Sequence, residues 1–507
     1  MPGLAGKKAE TKKQMEAIGN RAEGEDLPLV RSFRDPHGAV FTAGDRLYRI
    51  VSAEGLEELR AFLASAAAAR WIQSGGLVRT TELGDADKRT LLGCPRIAKL
   101  YQDIQGETIL EHERVPFPSF PYEWAPEMLH RAASLTLELA LDMLPETLGL
   151  KDATPYNILF RGPHPVFIDV LSFERRDPND PVWLPYSQFV RTFVLPLLAN
   201  RRLGLAIDQL LFTHRDGVEP EEVYRWLRPL QRIRPPFLSL VSMPSWLGSR
   251  RNPDDVSIYR KRSLSSPEQA QFVVRSLLKG LRRTLRSAAP RAGASSIWTD
   301  YMEANNNYTA EGFAAKQRFV EECLALFAPK RVLDAGCNTG HFSALAARSG
   351  ARVVAIDYDP AVVGAVWKKA VAENLDILPL VVNLTRPTPG MGWNNREWPS
   401  FLDRARGAFD AVFMLALIHH MLVTERLPLD EIVDLAAGLT SNLLLIEFVS
   451  PEDSMFRRLV RGREELHRGL NASVFENACR RRFEIVRCEH PEGATRWLYC
   501  MRRKAAA

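Results

Sequence analysis

The sequence predicts an α/β fold in two parts: a C-terminal Rossmann-like unit with a seven-stranded sheet, preceded by an α+β unit with a helical extension. Three observations carry that reading. A short apolar run at 331–333 is followed by a glycine-containing turn, a helical stretch and a second apolar run, 351–356, that closes on Asp357; this is a β-turn-α-β unit. Further strand-like runs follow it in series. The 507 residues also exceed the usual size of one domain, so two or three are expected.

In chain order, residues 1–28 are charged, lack the apolar stretch of a signal peptide and read as a flexible tail. Residues 39–42 and 46–51 form a hairpin turning on Gly44. Met128, Leu135, Leu139 and Met143 recur at helical spacing over 127–144. From 175 to about 290 the pattern is helical, broken at Arg234-Pro235-Pro236 and Met243-Pro244-Ser245, and Ala288-Ala289-Pro290-Arg291-Ala292-Gly293 reads as a linker. A helix over 312–327 turns Phe313, Phe319, Val320, Cys323 and Leu324 inward. Strands follow at 331–333, 351–356 and 380–382, a fourth strand with its exit at 409–420, a fifth at 443–448, then an antiparallel pair at 483–487 and 497–501. The division is thus a tail (1–28), a first domain (29–174), a helical extension and basic linker (175–295) and a C-terminal domain (296–507).

The turn reads Asp334-Ala335-Gly336-Cys337-Asn338-Thr339-Gly340. A dinucleotide site needs Gly-x-Gly-x-x-Gly, whose middle glycine lets backbone touch a pyrophosphate. Here Asn338 places a side chain there, and Asp334 would repel phosphate and favour a ligand with a cationic group. The motif resembles motif I of class I S-adenosylmethionine (SAM)-dependent methyltransferases and departs only at Asn338. The run 409–420, ending in His419-His420, is similar to that family's motif IV. The resemblance implies SAM as cofactor. It places Asp334, Gly336, Cys337, Asn338 and Gly340 at its methionine end, and Asp357 on the ribose hydroxyls with Tyr358 beside it. Asn383 and Leu384 fall at the adenine, and Leu415 is a further contact. Tyr308 and Lys316, on the leading segment, are candidates for its carboxylate.

In the first half, Asp152 and Asn157 lie five residues apart and precede the apolar run 166–168 and Asp169. This set resembles the catalytic loop and metal-binding aspartate of aminoglycoside and choline kinases. The resemblance implies a kinase-like fold and an ATP and magnesium site at Asp152, Asn157 and Asp169. Leu150 and Lys151 stand where that family has histidine and its neighbour. The hairpin lacks a glycine-rich loop and a lysine; Arg49 is its nearest cation, with Glu57 or Glu58 as expected partner. Arginine does not substitute conservatively for lysine at a phosphate-gripping site. The alternative is that Asp152 and Asn157 only fix their loop through local side-chain bonds.

Composition sets bounds. The net charge is +6 with a pI near 9.0, and basic residues gather between 225 and 291. That suits a solvated helical surface or contact with an anionic surface, without specifying nucleic acid. The six cysteines include no Cys-x-x-Cys pair, so neither a disulfide framework nor a structural zinc is expected, and a cytoplasmic location fits. No residue set specifies a metal.

Methyl transfer from a sulfonium requires mainly alignment and exclusion of water. A hydroxyl acceptor also needs a base. His419 and His420, past the fourth strand, are the candidates, with Glu447 on the fifth strand as another polar group at the same mouth. Taken whole, the chain resembles bacterial proteins of the nodulation-protein NoeA type. The resemblance rests on residues 151–160, 165–174, 333–342, 415–421 and 445–458. It implies methyltransferase activity without naming an acceptor; the reading carried forward is a methyltransferase acting on a small-molecule or glycan hydroxyl, whose first half binds or presents the acceptor. The alternative is a bifunctional kinase-methyltransferase.

Overall fold

A computed structural model describes residues 38–248, 263–291, 310–490 and 494–505. The expected tail, Tyr308 and the basic positions Arg250, Arg251, Arg260, Lys261 and Arg262 lie outside the described residues, as do Ala292 and Gly293 of the expected linker.

Strands β1 (Gly38–Ala43) and β2 (Arg46–Ser52) form the expected hairpin, closed at Gly44 with φ 61°, a conformation glycine adopts without steric cost. With β3 (Thr80–Glu82) and β4 (Gly106–His112) they make an antiparallel sheet ordered β1-β2-β4-β3. The helix Pro126–Met143 starts on a proline at its first turn, where no backbone donor is lost, and buries a broad apolar face that includes Leu129, Leu135, Leu139 and Met143. Two short pairs follow: β5 (Leu148–Leu150) with β8 (Phe173–Arg175), and β6 (Ile158–Arg161) with β7 (His164–Phe167).

The extension is helical, with π-turns at Val190–Val194 and Leu238–Ser242. Its last helix, Pro267–Ser287, is capped by the Ser266 hydroxyl and buries a stripe of Ala270, Val274, Leu278, Leu281 and Leu285. That helix packs on Pro126–Met143. Burial of each large aliphatic side chain in the stripe contributes about 1.5–3 kcal/mol, so a charge at Leu278 would detach it.

The C-terminal sheet contains β9 (Arg331–Ala335), β10 (Arg352–Asp357), β11 (Ile377–Val381), β12 (Phe409–Met414), β13 (Thr440–Val449), β14 (Phe483–Glu489) and β15 (Arg496–Arg503). Its order is β11-β10-β9-β12-β13-β15-β14, parallel except for β15 and β14, which run antiparallel to their neighbours. The strand order reverses beside β9, and open α/β sheets bind ligands at the carboxyl ends of strands there.

Alternate residues of each strand enter different cores. Val332, Val353, Phe413 and Leu445 pack with the helix Ala310–Phe327 on one face. Leu333, Val354, Val412 and Ile446 belong on the other face to an apolar core that continues without a break into Trp124, Leu129 and Phe160 of the first half. The two halves read from the sequence therefore share one interior.

Candidate functional site

At the end of β9 the chain turns through Gly336 (φ 72°), Asn338 (φ 46°) and Gly340 (φ 73°) into the helix His341–Arg348. A Cβ at Gly336 would come within 3.2 Å of the Leu417 side chain, and one at Gly340 within 3.0 Å of Val366, so a side chain at either would push its neighbour back by a few tenths of an ångström; the positive φ at both is what favours glycine. The Gly336 and Cys337 amides donate to the Ile356 carbonyl at 2.9 and 3.0 Å. Asp357 closes the turn by accepting from the Asn338 amide (3.1 Å) and the Asp359 amide (3.1 Å).

Beside this turn lies a cavity of about 450 Å³, within the range of small-molecule sites. Asp334, Gly336, Cys337, Asn338, Asp357, Tyr358, Asn383, Leu384 and Leu415 all line it; Gly340 stands behind the wall as the N-cap of the following helix. His420 lines it from the exit of β12. The sequence reading did not anticipate Phe342, Thr385, Met421, Thr424, Glu425 and Leu459. Phe342 and Met421 end stretches that carry the family resemblance, but no role was read for them. Phe342 comes from the helix His341–Arg348, Thr385 from the exit of β11, Met421, Thr424 and Glu425 from the segment after the turn Leu415–Leu417, where Ala416 holds φ 58°, and Leu459 from the helix Ser454–Val460.

Burial pushes the carboxyl groups of both Asp334 and Asp357 up to about 6. The Ser343 hydroxyl donates to Asp334 at 2.5 Å. Two acids with restricted access to water, facing one cavity, favour a ligand that brings hydroxyl donors and a positive charge. The glycine cradle and this acid pair fit SAM.

Two candidates for acid-base work fall elsewhere. Glu447 is not at the mouth: β13 continues to Val449, and Glu447 is fully buried, accepting from Lys316 Nζ at 2.6 Å. Arg496 approaches the same carboxylate at 3.7 Å and binds Asp453 at 2.9 Å. Lys316, expected at the cofactor carboxylate, does line the cavity but is engaged with Glu447; burial lowers its pKa, and Glu447 opposes that shift. His419 is 1% exposed, does not line the cavity, and neither ring nitrogen has a hydrogen-bond partner among the described residues. Burial, then the adjoining His420, keeps it far below the ordinary imidazole range.

In the first half, Asn157 and Asp169 are joined through Ser172, while Asp152 is held separately by Gln188. Asp169 Oδ1 accepts from Arg49 Nη1 at 2.7 Å and Oδ2 from the Ser172 hydroxyl at 2.5 Å. The Asn157 carboxamide donates to Ser172 at 3.0 Å, and Asp152 accepts from Gln188 at 3.3 Å. Burial alone would raise the Asp169 pKa, but the Arg49 charge and these hydrogen bonds hold it below the usual carboxylate range. Both oxygens needed for magnesium are thus spoken for, with a buried guanidinium on the metal side. These residues do not fit a magnesium-ATP site. Nor do Glu57 and Glu58 pair with Arg49 as expected; they bind the side chain and backbone of Arg175. No group of three or more His, Cys, Asp or Glu among the described residues could hold a metal ion, and no described helix is long and apolar enough to cross a membrane.

Residues 308–460 match the methyltransferase domain family. Together with the strand order and the cradle at the end of β9, this defines a SAM-dependent methyltransferase whose C-terminal region has the class I fold. Across nearly its whole length the chain is 30% identical to nodulation protein NoeA of Rhizobium meliloti (strain 1021), over 478 residues that cover 94% of this chain and 96% of the relative. The protein belongs to the NoeA family. Among solved structures it is similar to the N-methyltransferase NodS from Bradyrhizobium japonicum WM9 (14% identity, 39% of this chain, 99% of that chain, TM-score 0.29). It is also similar to the magnesium protoporphyrin IX methyltransferase from Synechocystis PCC 6803 (18% identity, 41% and 98%, TM-score 0.28).

Proposed function

We propose that this protein methylates a hydroxyl of a glycan or other small-molecule acceptor, with His420 as general base. The observation that carries this reading is the position of His420. It lines the cavity at the exit of β12, on the segment that goes on to supply Met421, Thr424 and Glu425 to the same cavity. Burial, then the Arg496 charge, lowers its pKa, so the imidazole is neutral at pH 7 and able to accept a proton.

Gly336, Cys337 and Asn338 would hold the methionine end of the cofactor, with the Asp334 acid toward its cationic groups. Asp357 would accept from the ribose hydroxyls, and Asn383 and Leu384 would bound the adenine. Bound SAM supplies an electrophilic methyl on a sulfonium leaving group. His420 takes the acceptor proton as the new O–C bond forms and the S–C bond breaks, leaving S-adenosylhomocysteine (SAH). The apolar walls from Phe342, Leu415, Leu417 and Met421 exclude water. In this reading the first half, which packs against the loop following β11, presents the acceptor at the rim, where Arg386 binds Glu425 at 2.9 Å.

The test is transfer of labelled methyl from SAM to a panel of glycans and small polyols, with wild type and His420→Ala. Turnover should fall roughly 10²–10⁴-fold in the variant while SAH affinity is kept. Undiminished turnover would remove His420 from the chemistry. Because the His420 pKa is lowered, the acidic limb of kcat/KM for this group should lie below pH 6.5.

A further inference from the structure

We infer that the first half is a positioning element for the cofactor site, acting through the loop that follows β11. This inference rests on the reading of the cavity as the SAM site. β11 is an edge strand. Its exit, Asn383 to Thr385, lines the cavity, with the Thr385 amide and hydroxyl both donating to Asn383 Oδ1 at 2.9 and 2.6 Å. Only three residues further on, the Thr388 hydroxyl donates at 2.6 Å to Glu123, a fully buried carboxylate of the first half. The same carboxylate oxygen is ion-paired with Arg404, whose guanidinium also donates to the Pro118 carbonyl and lies over the rings of Phe117 and Phe120.

The far end of the loop is held independently. Trp398, bridged to Met391 by paired backbone hydrogen bonds of 2.9 and 3.1 Å, stacks on Tyr156 with ring centroids 4.8 Å apart and planes 28° apart. Tyr156 directly precedes Asn157, whose carboxamide donates to the Ser172 hydroxyl that in turn binds Asp169. The adjoining helix is tied as well: Trp367 donates to the Pro163 carbonyl at 2.9 Å, and Lys368 pairs with Glu127 at 2.8 Å.

A fully buried ion pair gives little net stability but fixes register, because any misfit leaves an uncompensated charge. An aromatic stack adds geometric preference. Both devices converge on a segment of some fifteen residues that begins at the cavity wall. Left unheld, this segment would give Asn383 to Thr385 several arrangements, and binding would then have to select one at a cost in affinity. Glu123, Tyr156, Thr388, Trp398 and Arg404 are on this account positioning residues; none lines the cavity.

The experiment is isothermal titration of the full chain with SAH, paired with thermal melting. Trp398→Ala and Tyr156→Ala should each weaken SAH about fivefold to tenfold. The double variant should be little worse than either single one, because both break the same stack, and Trp398→Phe should recover most of the loss. Thr388→Val, which deletes one hydroxyl at nearly constant shape, should weaken SAH about twofold to fivefold and keeps the test decisive if the Trp398 variant fails to fold. Melting that falls with SAH affinity unchanged would overturn the inference, because a merely structural contact behaves that way. The control is Asp357→Ala. If it destroys binding while the Trp398 and Thr388 variants bind as wild type, the cavity reading stands and the coupling falls. If wild type itself takes no SAH, the cavity reading falls first.

Discussion

The protein contains two sets of acidic residues at loop ends that a sequence reading would give to nucleotide-type ligands, and the structure treats them oppositely. In the first half, Asp169 is met by Arg49 and Ser172, and its pKa is lowered. In the second, Asp334 and Asp357 face a cavity and accept from neutral donors, the Ser343 hydroxyl and the Asn338 and Asp359 amides, and burial outweighs these bonds and raises their pKa values to about 6. An acid that its own chain has satisfied serves the fold. An acid left facing an apolar-walled cavity carries an electrostatic cost that a ligand can relieve.

That contrast can be broken, and the largest expected effect lies at the buried ion pair of Lys316 and Glu447. Glu447→Ala deprives Lys316 of this buried counter-charge, while Arg496 keeps Asp453, and should cost about 3–5 kcal/mol of stability, seen in urea unfolding. A loss below about 1 kcal/mol would mean that the pair is solvated. Asp357→Ala comes next: it should weaken SAH roughly tenfold to a hundredfold with the melting temperature nearly kept, measured by isothermal titration. Arg49→Ala should do the reverse, destabilising the chain by about 1–3 kcal/mol with SAH affinity unchanged. Magnesium-ATP should shift the melting of wild type by nothing measurable; an ATP-dependent shift lost in Asp169→Ala would restore a nucleotide site to the first half. The last effect is in pH. The Asp357 pKa is raised in the folded chain, so the native state binds the extra proton and stability drains as pH rises from about 4 to about 6. Asp357→Asn should flatten that part of the stability–pH curve.

Much of the second half was legible. The glycine turn, the acid closing β10 and the serial apolar runs are local features, and each strand period or turn residue reports on its own neighbours. The strands nevertheless run longer than the most apolar residues suggested: β13 spans Thr440–Val449, against 443–448 read from sequence. Glu447 lies inside both ranges, yet sits in a buried ion pair and not at the supposed mouth, because a polar residue inside a strand looks the same in sequence whether it faces a cavity or a lysine 131 residues away. The adjacent histidines could not be separated either. Only the turn after β12 decides that His420 meets the cavity and His419 the interior.

The sequence by itself determined the α/β class, the β-turn-α-β cradle and the acid at Asp357, since these follow from periodicity and short-range spacing. The tertiary structure alone decided the rest. It set Arg49 against Asp169 across 120 residues and placed Glu123 beneath Thr388 and Arg404. It also merged the two halves into one core. Long-range pairing of charges and of apolar faces is fixed by how elements stack in space, and no local pattern along the chain encodes which distant partner will arrive.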